Sequence, residues 1–94
     1  MDFAAFQQSV SAATPPADAS VYLQALWYDA HGNWGKGHEL IQDLPDHNAA
    51  WIHAYFHRKE GDLWNADYWY RRAGKTRPTS TLQEEWEQLV QAFL

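Results

Sequence analysis

The strongest constraint on this chain is a piece of punctuation that occurs twice, 29 residues apart. Under that shift Gly32-Asn33-Trp34 falls on Gly61-Asp62-Leu63, Gly37 on Ala66, Leu40-Ile41 on Trp69-Tyr70, Leu44 on Ala73 and, upstream, Ala25 on Ala54. A glycine at a helix C-terminus takes the left-handed conformation without a Cβ penalty, and an Asn or Asp directly after it caps the following helix through its side-chain oxygen. Each copy therefore reads as a helix, a tight glycine turn and a second helix. The small residue five positions after the glycine, Gly37 or Ala66, lets the two antiparallel helices pack closely. Self-similarity at such a period predicts stacked helical units.

The flanks carry helix signals of their own. Phe3, Phe6, Val10 and Ala13 keep one face of an N-terminal helix apolar. Thr14 is the expected N-cap of a second helix, with Pro15 at the first helical position and the helix running to about His31. A third helix runs from Trp34 to about Leu44 and stops at Pro45; Asp46 then caps a fourth that reaches Glu60. Leu63, Ala66, Tyr70 and Ala73 form the apolar stripe of a fifth, which Gly74 closes. Thr81 with Glu84 reads as a capping box for a last helix with the stripe Leu82, Trp86, Leu89 and Phe93, and with Glu84, Glu85 and Glu87 on its solvated side. No β-alternation persists. The expectation is one all-α domain over residues 1–94 with about six helices: repeat 1 at about 18–44, repeat 2 at about 46–74, an N-terminal flanking helix and a C-terminal capping helix at about 80–93.

This pattern resembles the tetratricopeptide repeat family. Ala54, Gly61, Leu63, Ala66, Tyr70, Ala73 and Pro78 stand at the relative spacings of that signature in the second copy. The first copy keeps Ala25, Gly32, Trp34, Gly37, Ile41 and Leu44, but its Pro45 arrives early. The period is shorter than the usual repeat of about 34 residues, which implies a clipped connection between the hairpins. The resemblance spans roughly residues 18 to 78 and implies a stack whose flanking helices cap its ends. It also implies a concave groove that takes peptides, with Trp51, Tyr55 and Arg58 lining it. Aromatic anchors beside an arginine suit an extended acidic segment. The other reading of that stripe is that Trp51 and Tyr55 pack against the first hairpin.

Composition narrows the function. The chain has no cysteine, which removes disulfides, thiolate catalysis and thiolate zinc sites. Its N-terminus lacks the basic and apolar regions of a signal peptide, and no run approaches the roughly 20 apolar residues of a membrane span; a cytoplasmic location without membrane contact is expected. Six Trp, five Tyr and four Phe supply large groups for the core of a small domain. The net charge of −5 disfavours nucleic acid as a partner. Yet six of the seven basic residues (Arg58, Lys59, Arg71, Arg72, Lys75, Arg77) lie within positions 58–77, a window of net +3 in a chain otherwise at −8. Such a window is either a solvated helix face or an anion-binding surface.

The chemistry-bearing residues gather in the second repeat. His53 and His57 stand at i, i+4, the spacing with which two imidazoles reach one metal ion. The glutamate of a zinc-protease helix does not follow His53, and a third ligand would come from His31, His38, Glu60 or Asp67. Three readings are open: a hydrogen-bonded structural pair, a ligand-binding polar pocket, or a metal site. Asn65, Asp67 or a ring from the next helix, such as Trp69, are the expected partners of the pair. The arginines after Trp69 and Tyr70, Arg72 among them, suit stacking on neighbouring rings. No phosphate loop or nucleophile elbow is present, and no cofactor is implied. The expected function is a non-catalytic module binding a protein or peptide partner, or a second copy of itself. The alternative is a small-molecule or metal-binding protein, with catalysis as one form of it, centred on His53 and His57.

Overall fold

A computed structural model describes residues 1–94 and contains six α-helices and no strand. They are α1 (Phe3–Ser9), α2 (Val21–Ala30), α3 (Trp34–Ile41), α4 (His47–Lys59), α5 (Leu63–Arg72) and α6 (Leu82–Phe93). The all-α expectation with six helices holds. Each helix starts at a side-chain cap: Asp2, Ser20, Asn33, Asp46, Asp62 and Thr81 each accept a backbone N–H from the first turn. Thr81 and Glu84 complete the capping box in both directions. Asp46 also accepts the Tyr22 hydroxyl at 2.6 Å, which ties the start of α4 to α2 and holds the Asp46 carboxyl below its ordinary range.

The glycine turns form at the repeat spacing. Gly32 and Gly61 have φ of 95° and 86°, and the next residue donates back across the turn, Asn33 to the Tyr28 carbonyl and Asp62 to that of His57. The small residue five positions on is needed in the first hairpin. A Cβ on Gly37 would stand 2.6 Å from the Ala25 carbonyl oxygen and 3.2 Å from the Phe56 ring. Ala54, Ala66 and Tyr70 make the corresponding buried contact between α4 and α5.

Three boundaries differ from the expectation. α1 ends at Ser9, and α2 begins at Val21 under a Ser20 cap, so Thr14 caps nothing. The reason lies in Pro15-Pro16: a residue before proline is pushed out of the α region, so Pro15 cannot open a helix ahead of Pro16. α3 stops at Ile41, three residues short of Leu44.

The main core joins Phe6 of α1, Leu26 and Trp27 of α2, Ile41 of α3, Ile52 and Phe56 of α4, and Trp86, Leu89 and Val90 of α6. α6 crosses the first hairpin and α4; its Trp86 indole donates to the Leu26 carbonyl at 3.0 Å. Its acidic side was expected to be solvated, but Glu85 is 1% exposed. It accepts Arg58 Nη1 at 2.8 Å and the Tyr70 hydroxyl at 2.6 Å. The helical wheel places Glu85 beside Trp86 and Leu89, at the edge of the stripe, and the cation that draws it inward comes from α4. α5 contributes only Ala66 and Tyr70 to the buried interior.

Candidate functional site

α4 presents two faces, and the residues singled out in the sequence divide between them. Tyr55 and Arg58 point toward α2 and α6. The Tyr55 hydroxyl donates to Asp29 Oδ2 at 3.1 Å, and burial beside that carboxylate raises its pKa. Lys59 Nζ holds the other Asp29 oxygen at 2.9 Å. Arg58 is spent on Glu85 and on the Ser80 carbonyl. Trp51 is half-buried against Phe93 of α6, with Lys75 Nζ 4.2 Å above its ring. This side of α4 is thus covered by α6.

The opposite face, between α3 and α5, carries the imidazoles. His53 is 5% exposed and His57 partly exposed, one turn apart, with rings nearly parallel at 4.8 Å. His38 reaches them from α3: its Nε2 is 3.0 Å from His53 Nε2, and its ring stands edge-on to both. One ring nitrogen from each of His38, His53 and His57 falls within 4.8 Å of the other two. Of the four third members considered from sequence, the fold brings in His38. His31 stacks on Trp27 and bonds the Val10 carbonyl, Asp67 pairs with Arg77, and Glu60 lies on His57 Nδ1 at 2.5 Å.

Two indoles clamp this cluster. Trp34 stacks on His38 at 4.9 Å, and Trp69 stacks on His53 at 3.9 Å with planes 20° apart. The Arg72 guanidinium lies over Trp69 at 4.9 Å, extending the column. Burial lowers the His53 pKa to about 3, with His38, His57 and Arg72 adding to the effect. Burial and the neighbouring His57 ring also lower that of His38. Both rings are neutral at pH 7, so each offers a lone pair, and one Nε2–H bridges to the other Nε2. Asn65 stands apart from the imidazoles, bonding Asp62 at the start of α5. None of the three surface hollows is lined by these histidines; the rings fill the space between α3, α4 and α5 themselves.

α5 carries a second, exposed surface. Trp64 is 77% exposed, and Leu63 and Tyr68 are exposed beside it. Its position was legible: Trp64 lies off the Leu63, Ala66, Tyr70, Ala73 stripe, at i−4 from Tyr68 and i−8 from Arg72. The ion pairs sharpen the charge map. Arg58, Lys59 and Arg77 are consumed by Glu85, Asp29 and Asp67, which leaves Arg71, Arg72 and Lys75 without an acidic partner. Arg71, Lys75 and Arg77 line one hollow of about 220 Å³ with Asp67, Tyr70 and Thr76. No helix is long and apolar enough to cross a membrane. No protein-family model, curated protein or solved structure matches this chain.

Proposed function

We propose that this protein is a non-catalytic interaction module of two repeat-like hairpins, which receives an acidic protein segment along the outer face of α5. The observation that carries the reading is Trp64, 77% exposed in a chain whose other five tryptophans are buried or half-buried. Large exposed aromatics mark contact surfaces, and Trp, Tyr and Arg are the residue types that dominate binding energy. Trp64, Tyr68 and Arg72 follow one another at helical spacing, and Arg71 and Lys75 continue the surface into a basic hollow. A segment with an apolar anchor for Trp64 and carboxylates for Arg71 and Lys75 complements this face in shape of charge and in polarity. The groove expected at Trp51, Tyr55 and Arg58 is a poorer place for a partner, because α6 and Glu85 already engage those side chains. The reading keeps the cytoplasmic location expected from the sequence.

The test is a fluorescence-anisotropy titration of the full chain with a labelled peptide of about twelve residues, Glu-rich with a central Leu. Binding should weaken with salt. Trp64→Ala and Arg71→Glu should each reduce affinity about tenfold or more, while Tyr55→Phe, in the groove expected from the sequence, should leave it unchanged. Affinity insensitive to Trp64→Ala and Arg71→Glu would sink the proposal. A concentration-dependent dimer dissolved by the same two variants would assign the face to a second copy of this chain instead.

A further inference from the structure

We infer that His38, His53 and His57 form a binding site for a single late first-row divalent metal ion, of which Zn²⁺ is the working example. The cluster lies apart from the exposed α5 surface, and three observations point to a metal. The first is convergence: three imidazoles from two helices bring one nitrogen each within 4.8 Å of the others. Two nitrogens bound to one tetrahedral Zn²⁺ at about 2.0–2.1 Å lie roughly 3.3–3.4 Å apart. His38 and His53 Nε2 are already 3.0 Å apart, so the pair needs to open by only a few tenths of an ångström. His57 closes the set by turning about χ2, a soft torsion for an imidazole, and its partial exposure leaves it room.

The second observation concerns what stands behind the ligands. Metal-bound histidines usually donate their other ring N–H to a carboxylate, which fixes the tautomer and raises ligand basicity. His57 Nδ1 has that partner in Glu60 Oε1, and this leaves Nε2 as the nitrogen to give to the metal. Trp34 and Trp69 hold the other two rings by stacking, which lowers the ordering cost of binding.

The third is the donor set itself. Imidazole nitrogens without thiolate suit Zn²⁺, Cu²⁺ and Ni²⁺, whereas Mg²⁺ and Ca²⁺ want oxygen ligands. The proton shared between the His38 and His53 Nε2 atoms moves to Nδ1 of its own ring as the metal takes its place. Three protein ligands leave the fourth position to water or to an anionic group from outside. A metal there would also link α3 to α4, that is, the first hairpin to the second.

Isothermal titration of the full chain with ZnCl₂ tests this, with Co²⁺ absorption as a second readout. The expected result is one ion per chain with a dissociation constant on the order of micromolar or tighter, and a thermal midpoint that rises with free metal. Co²⁺ should give the d–d bands of a four-coordinate site with three nitrogen ligands. His38→Gln and His57→Gln should each weaken Zn²⁺ about 100-fold or more. Glu60→Gln should weaken it about 10- to 100-fold, and His31→Gln and His47→Gln should have no effect. Circular dichroism separates lost binding from lost folding, and the partly exposed His57 supplies a variant that keeps the fold. Zn²⁺ affinity unchanged in His38→Gln would overturn the site, because binding would then belong to the surface group His57, Glu60 and Asp62. Absence of stoichiometric binding by the unaltered chain would overturn it outright, and the histidines would be a hydrogen-bonded and stacked structural cluster.

Discussion

Gly37 and Gly35 share one turn of α3 and answer to opposite physics. A methyl on Gly37 meets the Ala25 backbone oxygen at 2.6 Å, and backbone cannot step aside as the end of a side chain can. A methyl on Gly35 meets nothing closer than 4.0 Å. Alanine in a helix gains about 1 kcal/mol over glycine from propensity alone. Gly35→Ala should therefore raise stability by about 0.5–1 kcal/mol, and Gly37→Ala should lower it by about 1–3 kcal/mol as α2 and α3 are forced apart. Urea denaturation of the two single variants checks this, and a stabilising Gly37→Ala would show that the hairpin is not held at that approach. This residue was legible in the sequence, because its role is local and recurs 29 positions later as Ala66. His38 was legible only as one of four third members. What selects it is the crossing of α3 over α4, which no spacing along the chain encodes.

Among the elements, α6 is where the sequence reading was least complete. Its stripe, its capping box and its ends follow from residues within a few positions of each other. The fate of Glu85 does not, since its partners Arg58 and Tyr70 lie 27 and 15 residues away. An amphipathic pattern separates apolar from polar positions but cannot say which carboxylate is drawn inward to a partly buried cation. Removing one side of such a pair leaves an uncompensated charge inside, which costs about 3–5 kcal/mol. Glu85→Ala should lose stability in that range, and the triple variant Arg58→Met, Tyr70→Phe, Glu85→Leu, which orphans neither the cation nor the Tyr70 hydroxyl, should recover much of it. If the triple variant is as unstable as Glu85→Ala, the network contributes more than mutual neutralisation. The same buried pair explains why the stripe Trp51, Tyr55, Arg58, read as one surface, divides in the structure between packing against α6 and bonding to acidic groups.

At the scale of the molecule, most pairings are local: α2 with α3 and α4 with α5, each across a glycine turn. The hairpins, the caps Asn33, Asp46 and Asp62 and the six-helix count were readable for that reason, whereas the Ser20 cap of α2 was not. Long-range order comes from α6, whose Trp86 indole bonds the Leu26 carbonyl 60 residues back and whose Leu89 and Val90 lie in the main core. That bond has a consequence in time as well as in energy. Local hairpins close quickly, while a contact of this separation must await the loop that brings it home. α6 is therefore expected to dock after the barrier, as a latch whose release begins unfolding. Leu89→Ala, expected to cost about 2–5 kcal/mol, should appear almost wholly as faster unfolding in stopped-flow measurements, with refolding nearly unchanged. A refolding rate slowed by the full amount would put α6 in the nucleus instead. If that latch sets the unfolding rate, the last twelve-residue helix governs the lifetime of the folded state, while the two glycine-turned hairpins govern its shape.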